Sequence, residues 1–178
     1  TNLNPPYRLV WPRDGSIIAT AMAASGHASD AKRFFEFAAT KLQHADGGFA
    51  VNYWPDGHGP LWDFGTAGNE HDQSGTFAWG IHDVYQKTGD RAWLVRMWPA
   101  AKRSCEFLAG QQAGDGLLSP CRDLWELETG GRWTYTQAAG LAGVARHFGH
   151  ALFVAVELFQ HDHRQVDVVL LKAEQAHR

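Results

Sequence analysis

Short and long connections alternate along this chain between segments whose apolar residues recur at helical spacing, and this rhythm restricts the fold more than any single motif. The stretch Ser16 to Ser25 is rich in Ala and Ile and stops at Gly26, a usual residue just past a helix end. Asp30 is placed to cap a second helix in which Phe34, Phe37, Ala38 and Leu42 share one face. From Asp46 to His71 glycine, proline and aspartate cluster without helical period, which predicts a long loop. Its interleaved Tyr53, Trp54, Trp62 and Phe64 point to a binding loop, because disordered segments are poor in aromatics. A third helix from about Gln73 to Thr88 sets Phe77, Ile81, Val84 and Tyr85 on one side and closes at Gly89. Asp90 caps the next, whose stripe of Trp93, Leu94, Met97 and Trp98 meets Pro99, a kink or a fresh start, before Ala101, Cys105 and Leu108. After a turn at Gly114-Asp115-Gly116 and a loop from Pro120 to Gly131, a further helix begins near Thr136. No strand-rich region interrupts the series. The expected fold is all-α, a stack of αα-hairpins.

Composition narrows the function classes. Of 178 residues, 44% are hydrophobic and 20% charged, the balance of an ordinary globular protein. Net charge is -3 and no run of Lys or Arg exceeds two residues, so the basic footprint of a nucleic-acid binder is missing. No segment approaches the roughly 18 consecutive apolar residues of a membrane helix, and no basic, then apolar leader opens the chain. Neither nucleic acid nor membrane is an expected partner. Cys105 and Cys121 read as free thiols or at most one bridge, which leaves the compartment open between cytoplasmic and secreted. Eight tryptophans fit either bulky filler between helices or the wall of a ligand cleft.

Three stretches combine polar groups with aromatics or sit beside them: Tyr7 to Gly15, Asn69-Glu70-His71-Asp72-Gln73, and Asp123-Leu124-Trp125-Glu126-Leu127-Glu128. All fall at loop-to-helix junctions, which in stacked αα-hairpins can gather at one end and line one pocket. Arg13 beside Asp14 reads either as a fork for two sugar hydroxyls or as a structural ion pair at a helix start, where an acidic residue meets the positive end of the dipole. Glu126 beside Trp125 reads either as a carboxyl kept protonated by partial desolvation, the need of a glycosidase acid, or as an exposed loop carboxylate.

Tyr7-x-x-x-Trp11-x-Arg13-Asp14, the Gly89-Asp90 boundary, Asp123-Leu124-Trp125-Glu126 and Tyr135-Thr136 before a helix resemble, in order, the signatures of glycoside hydrolase family 15, which includes glucoamylases, glucodextranases and some trehalases. The resemblance covers roughly Pro6 to Gly143. It implies a partial (α/α)6 toroid in which helix-end loops hold the non-reducing end of an α-glucoside. Tyr7 and Trp11 would wall the innermost sugar site, and Arg13 and Asp14 would hold hydroxyls of the terminal glucose. Trp125 would line the pocket, Glu126 would be the general acid, and Asp72 and Trp62 would come from the long loop as a polar and a stacking residue. Leu127 stands where many fungal members have a second Glu after the acid, so contacts to the next sugar would differ.

The family inverts configuration using a base about 6.5–9.5 Å from the acid. No match for that base precedes Arg178, and a toroid needs about twice the helices read here, so residues 1–143 are expected to be the front part of a catalytic domain that the rest of the same domain completes. The expected activity is that of an inverting, exo-acting α-glucoside hydrolase, with this piece alone inactive. The alternative is a non-catalytic carbohydrate-binding or regulatory module on the same scaffold. Residues 144–178, where His161 and His163 are among several histidines, read as a divergent or frame-shifted helical tail, which also leaves open a truncated product without activity. The chemistry demands no cofactor, and no oxygen-rich loop suggests calcium.

Overall fold

The computed structural model describes residues 8–60, 70–122 and 130–145. The chain divides into two compact units, Thr1–His147 and Phe148–Arg178, and all described residues lie in the first. Of the expected tail only residues 144 and 145 are described, and they are helical.

Helix α1 spans Pro12–Ala24. It starts earlier than the Ala-rich stretch suggested because Pro12 occupies the first turn, where its fixed φ suits the helix and its missing N–H costs nothing. Its end is a Schellman turn: His27 N–H donates to Met22 O at 2.8 Å and Gly26, at φ 93°, donates to Ala23 O at 3.4 Å. Helix α2 spans Ala28–Phe37 and runs into a π-helical turn over Ala38–Leu42. Asp30 lies in the first turn of α2, and the cap position belongs to His27. The face turned inward is Ala31, Phe35, Ala38 and Leu42, whereas Phe34 and Phe37 are half-buried. Packing partners decide this. Phe35 occupies the space above Gly80, where an added Cβ would lie 2.5 Å from its ring, and Phe34 lies over Gly15 in the same way.

Helix α3 spans His71–Thr88 and is closed by left-handed Gly89, whose N–H bonds Tyr85 O at 2.8 Å. Helix α4 spans Arg91–Gly110, and Asp90 caps it by accepting from Trp93 N–H at 3.0 Å. Pro99 neither breaks nor restarts α4. The carbonyl it leaves without a donor is that of Val95, a residue 46% exposed, so water can satisfy it. Helix α5 is described over residues 134–145.

The helices form hairpins in two layers. α1 and α3 run parallel, since Arg13 meets Gln73 near their starts and Thr20 meets Gly80 further along. α2 and α4 run parallel on the other layer, joined by Lys32 to Asp90 at 2.7 Å near their starts and by Gln43 to Ala100 O and Ser104 Oγ, each at 2.9 Å, later on. α5 meets α3 at Gly75, backbone against backbone: a Cβ on Gly75 would lie 2.3 Å from Ala139 O, and one on Gly143 would lie 2.6 Å from Gly75 O. Between the layers, Phe35, Phe49, Phe77 and Trp93 pack with ring centroids 5.0–6.2 Å apart along the chain of contacts. No strand occurs among the described residues, only isolated bridges such as Val10 with Tyr53.

The first half of the expected binding loop has a structural role. Phe49, Val51, Asn52 and Tyr53 are buried, and the Tyr53 hydroxyl donates to Leu42 O at 2.7 Å and accepts from Ala50 N–H at 2.7 Å. Gly47, at φ 93°, presses so close to α4 that a Cβ would sit 2.0 Å from Arg103 O, and its carbonyl takes hydroxyls from Ser74 and Ser104. Gly47 to Phe49 thus plug the space between α3 and α4, and the exposed stretch beyond Trp54 does not; Trp62 and Phe64 lie outside the described residues.

Candidate functional site

Parallel packing of α1 and α3 brings their N-termini together, with Tyr135 and Thr136 at the start of α5 beside them, and there the interior turns polar. Arg13, from the first turn of α1, is buried. Its Nη1 donates to Glu70 Oε2 at 2.7 Å and to Asp72 Oδ2 at 3.1 Å, and both carboxylate side chains are 0% exposed. Its Nε lies 3.4 Å from Asp14 Oδ2, whose side chain is 58% exposed. Gln73 closes the group by accepting from Arg13 N–H at 3.2 Å and donating to Glu70 Oε2 at 3.1 Å and Val51 O at 3.0 Å. α3 can supply Glu70, Asp72 and Gln73 together because Glu70 is its cap residue and the others fill its first turn.

The electrostatics are unequal. Burial works against the charge on Arg13, but Asp72, Glu70 and Asp14 outweigh it and push its already high pKa further up. Asp72 moves the other way from a salt-bridged norm: burial raises it, and its share of the Arg13 charge only partly offsets this. Two buried carboxylates divide one guanidinium nitrogen, so neither receives the full stabilisation of a dedicated partner. Among the described residues Asp72 Oδ1 has no hydrogen-bond partner. Burial also lowers His71 and raises Tyr135, to which the charges of Asp72, Asp14 and Glu70 add while Arg13 opposes them. Cys121 completes the floor, its thiol raised by burial and lying beside the His71 backbone N–H and the Thr136 hydroxyl. Cys105 and Cys121 are both free and buried, and the Cys105 thiol is pushed up to about 12.

On the outer side of Arg13 and Asp14 lies a groove of about 520 Å³, walled by Leu9, Trp11, Ile18 and Phe34. The Val10 bridge to Tyr53, with N···O distances of 2.8 and 2.9 Å, fixes the segment that carries Trp11 into this wall. An apolar wall beside a charged pair suits a ligand with one hydrophobic face and a rim of hydroxyls. Among the described residues no group of His, Cys, Asp and Glu has metal-site geometry, and no helix is long and apolar enough to cross a membrane.

Trp11, Arg13, Asp14 and Asp72, four of the residues singled out by sequence, therefore meet at one place. Tyr7, Trp62, Trp125 and Glu126 lie outside the described residues. Glu70 and Gln73 were not singled out individually, although both belong to the polar stretch flagged before α3. Their three-residue separation, which puts both on one side of a first helical turn, was the available signal.

Over 143 residues, 80% of its length, the chain is 37% identical to a protein of Methanocaldococcus jannaschii named as an uncharacterized glycosyl hydrolase. The chain is similar to a glycosyl hydrolase. The matched stretch spans 22% of that protein's length. No family model and no solved structure matches.

Proposed function

We propose that this chain is the front part of a glycoside hydrolase of family 15, a glucoamylase-like enzyme that releases glucose from the non-reducing ends of α-glucosides with inversion. The reading is carried by the meeting of Arg13, Asp14 and Asp72 at the shared end of α1 and α3, beside a groove walled by Trp11. Hydroxyls of a terminal glucose need both donors and acceptors, and a guanidinium flanked by carboxylates supplies both. The similarity to a named glycosyl hydrolase supports the general class, and the parallel order of α1 and α3 suits the inner ring of an (α/α)6 toroid.

Tyr7 and Trp11 wall the sugar site, Trp62 and Trp125 add aromatic faces, and Glu126 protonates the glycosidic oxygen. A carboxylate elsewhere in the same domain activates the water that attacks the opposite face. The substrate is a maltooligosaccharide, dextrin or related α-glucoside, and no cofactor takes part.

The test is hydrolysis of maltooligosaccharides by the full-length protein, with the anomer of the released glucose followed by NMR. β-Glucose as first product, and a loss of about 10²–10⁴-fold in kcat for Glu126→Gln, are expected. Sugar binding without hydrolysis would sink the enzyme reading in favour of a carbohydrate-binding module. α-Glucose as first product would exclude an inverting mechanism.

A further inference from the structure

The hydrogen bonds behind Arg13 form a closed circuit. It leaves the residue through the backbone N–H to Gln73 Oε1 at 3.2 Å and continues from Gln73 Nε2 to Glu70 Oε2 at 3.1 Å. It returns from that oxygen to the Arg13 guanidinium at 2.7 Å. The Gln73 amide has one orientation that fits. Reversed, its NH2 would face the Arg13 N–H and its oxygen would face both Val51 O and Glu70 Oε2. Both side chains are fully buried, Glu70 at 1% and Gln73 at 0% exposure, so the circuit is shielded from competing water. Asp72 shares the Arg13 Nη1 at 3.1 Å but stands outside the ring.

We propose that Glu70 and Gln73 are the positioning residues of Arg13, locking its guanidinium against its own backbone so that it meets the ligand's hydroxyls in a geometry set before binding. The proposal rests on the reading of Arg13 as a sugar-holding residue. Arginine is among the side chains that lose most rotamer freedom on being ordered, and a ligand that had to impose that order would bind correspondingly less tightly. Here the ordering is done by α3 during folding. The same device explains why α3 begins with a carboxylate that never reaches the surface. Glu70 acts through Arg13, and its loss is expected to show only where Arg13 is present to be misplaced.

The experiment is a double-mutant cycle on maltotriose affinity in the full-length protein, in a Glu126→Gln background that keeps the sugar intact. Glu70→Gln preserves shape and removes the charge that holds the guanidinium, and an affinity loss of about tenfold is expected. Arg13→Ala weakens binding at least as much, and adding Glu70→Gln to it changes nothing further. A residue with a merely structural role would instead lower affinity to the same extent in both backgrounds. Gln73→Met, which opens the ring while sparing the ion pair, carries the same test should the Glu70 variant not fold. Unchanged affinity in the variants of Glu70 or Gln73, with a loss in Arg13→Ala, overturns the positioning role and leaves the sugar-holding role standing. Unchanged affinity in Arg13→Ala overturns the sugar-holding reading itself, and the proposal with it.

Discussion

The first half of α3 is buried all round and largely polar, whereas the second half buries a single apolar face. His71, Asp72, Gln73, Ser74 and Thr76 occupy the first half; Phe77, Ala78, Ile81 and Val84 occupy the second. The apolar half is held by volume: Phe77 has Phe35 and Phe49 against it, and any well-fitting hydrocarbon would serve there. The polar half is held by direction, through Arg13, the Val51 carbonyl and the Gly47 carbonyl, each of which fits one donor or acceptor geometry. One helix thereby supplies a stem that only supports and an end that presents charge. Burial alone does not distinguish a core from a site; the kind of partner does.

Four variants put that contrast to the test. Phe35→Ala empties the apolar half, where the ring is 0% exposed between Phe77 and Trp93, and is expected to cost about 4 kcal/mol in urea unfolding. Arg13→Ala leaves Glu70 and Asp72 buried without their guanidinium and should cost about 3 kcal/mol in the same assay. Arg13→Met combined with Glu70→Gln and Asp72→Asn is expected to recover most of that loss, because the penalty belongs to uncompensated charge and not to missing volume. If the triple variant is no more stable than the single one, the polar half packs like the apolar half and the contrast falls. Asp90→Ala removes the cap of α4 and its surface ion pair with Lys32, neither of which touches the buried contacts of α3, and is expected to cost about 1 kcal/mol by thermal or chemical unfolding.

The smallest expected effect is a pH dependence. Burial holds His71 below the ordinary histidine range, so the unfolded chain takes up the proton first. Stability from the neutral imidazole is present above about pH 6.5 and is lost as the pH falls from there toward the folded-state value. Asp72 has the opposite sign, since its raised pKa makes the folded state lose ground as the pH rises above about 3.9. His71→Gln should therefore flatten the fall in Tm between pH 7 and pH 5 seen by calorimetry. An unchanged slope would place the acid sensitivity elsewhere.

Local signals in the sequence translated well into structure. Gly26, Gly89 and Asp90 end and start helices as their chemistry demands, and the helix rhythm survives even the proline in α4. Signals that depend on a distant partner did not. Phe34, Phe35 and Phe37 spread over almost half the circumference of α2, so periodicity could not say which would turn fully inward, and the answer came from the empty space over Gly80. The loop from Asp46 was read as a binding surface from its aromatics, yet Tyr53 spends its hydroxyl on Leu42 and Ala50. At the site, Arg13 stood out through its motif and Asp72 through the family resemblance, while Glu70 stood only as one member of a polar stretch, because nothing local announces that a guanidinium from α1 lies 2.7 Å away.

The contact of Gly75 with Ala139 and Gly143 bears on how such a protein can change over generations. Where two helices touch through their backbones, no side chain can shorten or lengthen to absorb a substitution, so any side chain at Gly75 or Gly143 would force α3 and α5 apart. The half-buried residues at the rim have no such backbone contact. Tyr135, half-buried and close enough to Asp72 to feel its charge, is one such residue. A lineage holding this seam fixed could vary what the rim accepts while keeping the width of its mouth, which makes the glycines the conserved gauge and the rim the part free to diversify.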